Sequence, residues 1–158
     1  MSAILKAARQ VIDTEAQGLA ALSAELDEAF AAAIDLLKGC TGRVVLSGMG
    51  KSGHIAAKVA ATMASTGTPA MAIHPGEASH GDLGMVTDQD VLILLSNSGN
   101  SHELRDIIAH ARRQGLPIIG VSKNPESLVG KAAQVFLKLP DVEEACAPVS
   151  YTHLRAHE

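Results

Sequence analysis

Three short stretches of this 158-residue chain gather the residue types that handle anions and protons. The first is Ser47-Gly48-Met49-Gly50-Lys51-Ser52-Gly53. Gly48, Gly50 and Gly53 have the spacing Gly-x-Gly-x-x-Gly, which lets a backbone turn tightly and approach an anion at a helix N-terminus. The pattern alone is weak, because it serves a dinucleotide or any other phosphate; a plain tight turn with a solvated Lys51 is a third reading. A cation inside the loop tilts the balance towards a small anionic ligand. The second stretch is Ser96-Asn97-Ser98-Gly99-Asn100-Ser101. Its hydroxyls and amides are neutral donors suited to phosphate oxygens, each bond to a charged group contributing about 1.5–3 kcal/mol. Helix capping by Asn100 or Ser101, with Glu103 closing a loose capping box, explains one or two of these residues but not six in a row. The third stretch, Glu77-Ala78-Ser79-His80-Gly81-Asp82-Leu83-Gly84, carries Glu77 and His80, both able to move a proton. A loop histidine that is merely solvated competes with that reading, and Asp82 reads as a turn former. His74-Pro75-Gly76 leads into this stretch; Glu77 would be the ribose-binding acid if the ligand were a dinucleotide.

These loops need elements to hold them together. Arg43–Ser47, Pro69–His74, Val91–Ser96, Pro117–Ser122 and Gln134–Leu139 read as five strands. Helices are expected near 53–66, 102–115 and 125–132, with a loop over 75–90. Strands that are apolar throughout and separated by helical crossovers predict a parallel sheet covered on both faces. The expected fold is a three-layer, doubly wound α/β domain with strand order 2-1-3-4-5, in which ligands bind at the carboxyl ends where strand order reverses. The first and third strands flank that point, and two of the three loops leave from them. Residues 1–40 form an N-terminal helical arm and 41–146 the α/β core. Leu5, Ile12, Leu19 and Leu26 recur every seven residues along the arm, Gly18 is expected to divide it, and its apolar row is expected to help join two subunits. Residues 147–158 follow no period.

Composition excludes several function classes. Lys plus Arg number 13 and Asp plus Glu 17, giving a net charge of −4, the wrong sign for a nucleic-acid footprint. Aromatic residues are 2% (Phe30, Phe136 and Tyr151, without Trp), so no platform exists on which bases could stack. The longest aliphatic run, Val91–Leu95, falls far short of the roughly 20 residues of a membrane span, and no signal peptide is evident. Cys40 and Cys146 lack metal-ligand spacing and read as reduced thiols. A cytoplasmic protein without a metal, nucleic-acid or membrane partner is the expectation.

Gly48-Met49-Gly50-Lys51-Ser52-Gly53-His54, then His74-Pro75-Gly76-Glu77-Ala78-Ser79-His80-Gly81-Asp82-Leu83-Gly84-Met85-Val86, then Ser96-Asn97-Ser98-Gly99 resemble the sugar isomerase (SIS) domain. The middle motif is similar to that of D-arabinose 5-phosphate isomerases in particular, and the resemblance extends to Pro125-Glu126-Ser127 and Glu143-Glu144-Ala145-Cys146. It implies aldose–ketose isomerisation of a sugar phosphate, D-ribulose 5-phosphate to D-arabinose 5-phosphate, through an enediol and without a cofactor. Such a product feeds the 3-deoxy-D-manno-octulosonate of lipopolysaccharide in Gram-negative bacteria. By motif position the resemblance implies a catalytic set of Lys51, His80, Glu103 and Glu144, the last completing the site of a neighbouring subunit. Ser47, Gly48, Gly50 and Ser52 of the first loop, and His74 and Glu77 of the second, are then expected to contact substrate. Ser96, Asn97, Ser98, Asn100 and Ser101 join them, Asn100 standing where the family often has Glu. SIS domains generally form dimers or tetramers, so a homo-oligomer is implied. After Cys146 the chain departs from the family pattern: the C-terminal helix, its later histidine motif and the tandem regulatory cystathionine-β-synthase domains of many members do not follow. A non-catalytic phosphosugar-binding module or an inactive fragment is the alternative.

Overall fold

A computed structural model describes residues 2–142 of the chain. Asp27–Leu139 forms one compact unit, while among the described residues Ser2–Leu26 group with Pro140–Val142. In the first unit, β1 (Val44–Gly48), β2 (Ala70–Ile73), β3 (Val91–Leu95), β4 (Ile118–Ser122) and β5 (Val135–Lys138) build one sheet. Every neighbouring pair is parallel and the order is β2-β1-β3-β4-β5, as the apolar runs and helical crossovers predict.

The strands are apolar in successive positions because both sheet faces are buried. Along β1, Val44 and Leu46 pack with Ala56 and Ala60 of α3 (Lys51–Ser65), whereas Val45 faces the opposite layer. That opposite layer contains α4 (Pro75–Ala78), α5 (Arg105–Gln114) and α6 (Leu128–Ala132), whose Ala78, Ile107 and Val129 are buried with Leu92 and Leu94 of β3. Beside α3, α2 (Glu28–Lys38) buries Ala33 against Val91 and Ile119. The result is three layers with an almost wholly aliphatic core.

Two local readings differ from the sequence expectation. Gly18 lies inside α1 (Ala3–Glu25) and does not divide the arm. The break falls at Leu26–Asp27, where Leu26 is extended and the Asp27 carboxylate accepts a bond from Ala29 N at 2.9 Å, capping α2. A cap satisfies an otherwise orphaned amide, whereas one interior Gly in a long helix costs only about 1 kcal/mol, so the cap sets the boundary. The stretch 75–90 is also not a plain loop. It holds α4, with Pro75 at its first position, and a 3₁₀ turn at Asp82–Met85. Leu5, Ile12, Leu19 and Leu26 are all exposed. Among the described residues no helix is long and apolar enough to cross a membrane.

At the amino end of the sheet, Asp90 is 2% exposed. Its Oδ1 accepts from Arg43 N at 2.7 Å and its Oδ2 from Thr87 N at 2.8 Å, tying the entries of β1 and β3 together. Asp90→Ala strands two amides, each worth about 1–3 kcal/mol. The expected drop in melting temperature is roughly 5–15 °C, at 2–4 °C per kcal/mol for a chain this size. Thermal unfolding followed by circular dichroism checks this.

Candidate functional site

The first glycine-rich loop joins β1 to α3. Its tightness is set by Gly53: a Cβ there would lie 2.6 Å from the carbonyl oxygen of Gly48, so only glycine lets α3 start this close to the strand end. The first hydrogen bond inside α3 runs from His54 N to Gly50 O, which places the amides of Lys51, Ser52 and Gly53 ahead of the helical ladder. Lys51, exposed, is the first residue of α3. Its charge and those leading amides give the carboxyl end of β1 a positive potential.

The second loop leaves β3 and is built from the inside. Ser96 is 4% exposed; its hydroxyl accepts from Gly99 N at 3.1 Å and lies 3.0 Å from the Ser101 hydroxyl. Ser98 Oγ accepts from Asn100 N at 3.2 Å. Asn97, Ser98 and Asn100 are exposed. Three further bonds fasten this loop to the segment after β4. Lys123 N donates to Asn97 O at 3.1 Å, Val129 N to Gly99 O at 3.0 Å, and Leu128 N to Asn100 Oδ1 at 3.0 Å. Capping therefore operates, but Asn100 caps the distant α6, and the side chain of Ser101 caps nothing in the turn that follows it.

The third stretch brings the ionisable groups. The His74 imidazole caps α4, its Nδ1 accepting from Gly76 N at 3.1 Å; the neutral ring then carries its proton on Nε2. Pro75 and Ala78 are buried anchors, leaving Glu77 and His80 exposed. Glu103 lies exposed in a 3₁₀ turn, His102–Leu104, against which α4 packs. The element that carries Glu77 and leads into His80 is thus beside the element that carries Glu103.

Two crevices flank the Gly48–Gly53 loop. One, of about 280 Å³, is lined by Lys51, Ser52, Ser96 and Asn97 over an aliphatic floor of Ile55, Leu95, Val121 and Leu139. Here the loops leaving β1 and β3 meet, at the point where strand order reverses. The other, of about 330 Å³, lies towards β2 and is lined by Gly48, Gly50, Gly53, His54, Ile73 and His74, with Ala57 and Ala72. Sequence reasoning does not single out His54 as a site residue, although it sits three positions, close to one helical turn, after Lys51. Ser47 departs from expectation in the other direction. It is wholly buried, and its hydroxyl donates to Ile73 O at 2.8 Å, stapling β1 to β2 rather than facing a ligand. Glu144 lies outside the described residues, as do Cys146 and the chain beyond it.

Comparison with known proteins gives a consistent family picture. The sequence model of the SIS domain matches residues 37–155. The arabinose 5-phosphate isomerase KdsD of Yersinia pestis is 51% identical over 141 residues, covering 89% of this chain and 43% of that protein. KdsD of Salmonella typhi is 48% identical over 151 residues, covering 93% of this chain and 46% of the relative. The chain thus spans rather less than half the length of these curated relatives. Among solved structures, an Escherichia coli CFT073 protein in complex with arabinose 5-phosphate superposes with a TM-score of 0.83 at 36% identity, covering 99% of this chain and 87% of that one.

Proposed function

The chain belongs to the SIS-domain family, and from that premise we propose that it is a sugar-phosphate isomerase interconverting D-ribulose 5-phosphate and D-arabinose 5-phosphate. The observation that carries the reading is the meeting of Lys51 and Ser52 with Ser96 and Asn97 in one crevice at the carboxyl ends of β1 and β3. The likeness to proteins named arabinose 5-phosphate isomerase supports the choice of substrate.

In this reading the loop 96–101 and the leading amides of α3 hold the phosphate, preorganised by their own hydrogen bonds so that little ordering remains when ligand arrives. The open-chain sugar then loses the proton beside its carbonyl, forms an enediol, and regains a proton on the neighbouring carbon. His80 and Glu103 divide ring opening and proton transfer, and the Lys51 ammonium stabilises the enediolate oxygen. Glu144 is proposed to complete the site of a neighbouring subunit. His74 and Glu77 contribute hydroxyl contacts.

Proton exchange at carbon 2 of D-arabinose 5-phosphate in heavy water, followed by NMR with this chain, tests the proposal. Exchange with ketose formation is expected. No exchange, with a melting temperature that still rises on adding the sugar phosphate, would make the chain a binding module instead. Glu103→Gln, which keeps shape and removes the titrating group, is expected to slow turnover by about 10²–10⁴-fold, the usual share of a general acid or base. Its exposed position leaves stability within about 0.5 kcal/mol. Unchanged turnover would strip Glu103 of its role.

A further inference from the structure

The segment between α4 and the 3₁₀ turn at Asp82–Met85 is held to the protein in an uneven way. Pro75 and Ala78 anchor α4 by burial. The next residue, Ser79, donates its hydroxyl proton to Asp106 Oδ2 at 2.7 Å, with the Pro75 carbonyl oxygen a more distant 3.4 Å from the same hydroxyl. His80 follows, its amide bonded to Glu77 O at 2.9 Å, and then Gly81, whose φ of 130° is a glycine conformation. His80 therefore stands between a pinned serine and a permissive glycine. Asp106 lies in the first turn of α5, three residues beyond Glu103, so it shares a short rigid stretch with that carboxylate.

We infer that Asp106 is a positioning residue: through Ser79 it holds the segment bearing His80 against the turn bearing Glu103. The inference rests on the isomerase reading for its consequence in turnover, and on the bond itself for its consequence in structure. A hydroxyl bonded to a carboxylate is short and directional, about twice as strong as a neutral pair. It fixes the backbone one residue before the imidazole, where a shift of about 1 Å costs on the order of 10²-fold in rate. An acidic residue in a first helical turn also stabilises that helix whether or not it touches Ser79. The two roles separate experimentally.

Ser79→Ala, Asp106→Ala and Asp106→Asn are compared with the wild type for kcat, KM and the His80 ring resonances, assigned from a His80→Gln spectrum. Ser79→Ala and Asp106→Ala are expected to lower kcat about 10- to 100-fold with KM within about threefold, and to broaden the His80 signals or shift them towards a solvated ring. Asp106→Asn retains an oxygen that accepts the Ser79 proton, so it is expected to keep kcat within about threefold and the wild-type His80 spectrum. A His80 spectrum indifferent to Ser79→Ala overturns the clamp. So does an Asp106→Asn variant as impaired as Asp106→Ala, which would assign the effect to helix charge. A wild-type chain that does not isomerise overturns the proposed function, while the His80 spectra still decide the clamp.

Discussion

Replacing Lys51 with alanine is expected to lower kcat/KM by about 10²–10³-fold, the loss typical of removing one preorganised donor from a developing oxyanion. Lys51 is the cation among the residues that line the 280 Å³ crevice, and its partners there are neutral. Around an aliphatic floor the local dielectric is lower than in water, which strengthens its field on an enediolate. If Lys51 acts on the transition state, the loss appears mainly in kcat; if it only holds the phosphate, it appears in KM. The proposed mechanism requires the first. Because Lys51 is exposed at the start of α3, the melting temperature of the free protein is expected to move little. Lys51→Arg keeps charge but spreads it over a planar fork, and is expected to recover only part of the rate. Steady-state kinetics of the three proteins decide it: kcat within about threefold of wild type in Lys51→Ala would remove the electrostatic role.

The largest structural effect is expected at Gly99. Its φ is 73°, and an added Cβ would overlap Ser127 Oγ and come within 2.8 Å of Ser122 Oγ. Both serines are buried, and Ser127 Oγ also donates to Asn124 O at 2.6 Å and accepts from Gly130 N at 3.2 Å, capping α6. Gly99→Ala thus combines a left-handed backbone, about 1–2 kcal/mol for an L-residue, with overpacking of about 1–3 kcal/mol. The expected fall in melting temperature is roughly 5–15 °C. On the proposed reading inorganic phosphate is expected to stabilise the wild type, and the displaced loop is expected to lose that stabilisation. Paired thermal melts, with and without phosphate, measure both effects; a variant melting within about 2 °C of wild type would show that the loop yields at little cost.

The sheet was legible because a parallel strand buried on both faces leaves an unbroken aliphatic run. Val91 to Leu95 is such a run, and the glycine and serine loops mark where it and its neighbours end. Strand order came from the fold class, for which 2-1-3-4-5 is a common solution, and that order pointed to the loops after the first and third strands. The direction of single polar side chains was not legible. Ser47 and Ser52 both belong to the same seven-residue motif, yet one hydroxyl is sealed between β1 and β2 and the other lines the crevice. Inside a strand covered on both sides, no pattern of apolar neighbours distinguishes a buried serine from a terminal, ligand-facing one. Asn100 shows the same limit: its partner, Leu128 N, is 28 residues away in sequence. The short α4 had a readable signal in His74-Pro75, since proline suits a first helical position and the residue before it often caps. The Ser79–Asp106 bond had none.

The three bonds from Lys123, Leu128 and Val129 into the loop 96–101 also bear on cooperativity. Opening the loop deprives α6 of acceptors for its first amides, and fraying α6 frees the loop. The two segments are therefore expected to melt as one sub-global unit, and on the proposed reading the free energy of that local unfolding sets how often the phosphate-holding loop is intact. On the proposed reading, affinity for a sugar phosphate is consequently coupled to buried residues such as Ser127 through the population of a single cooperative element.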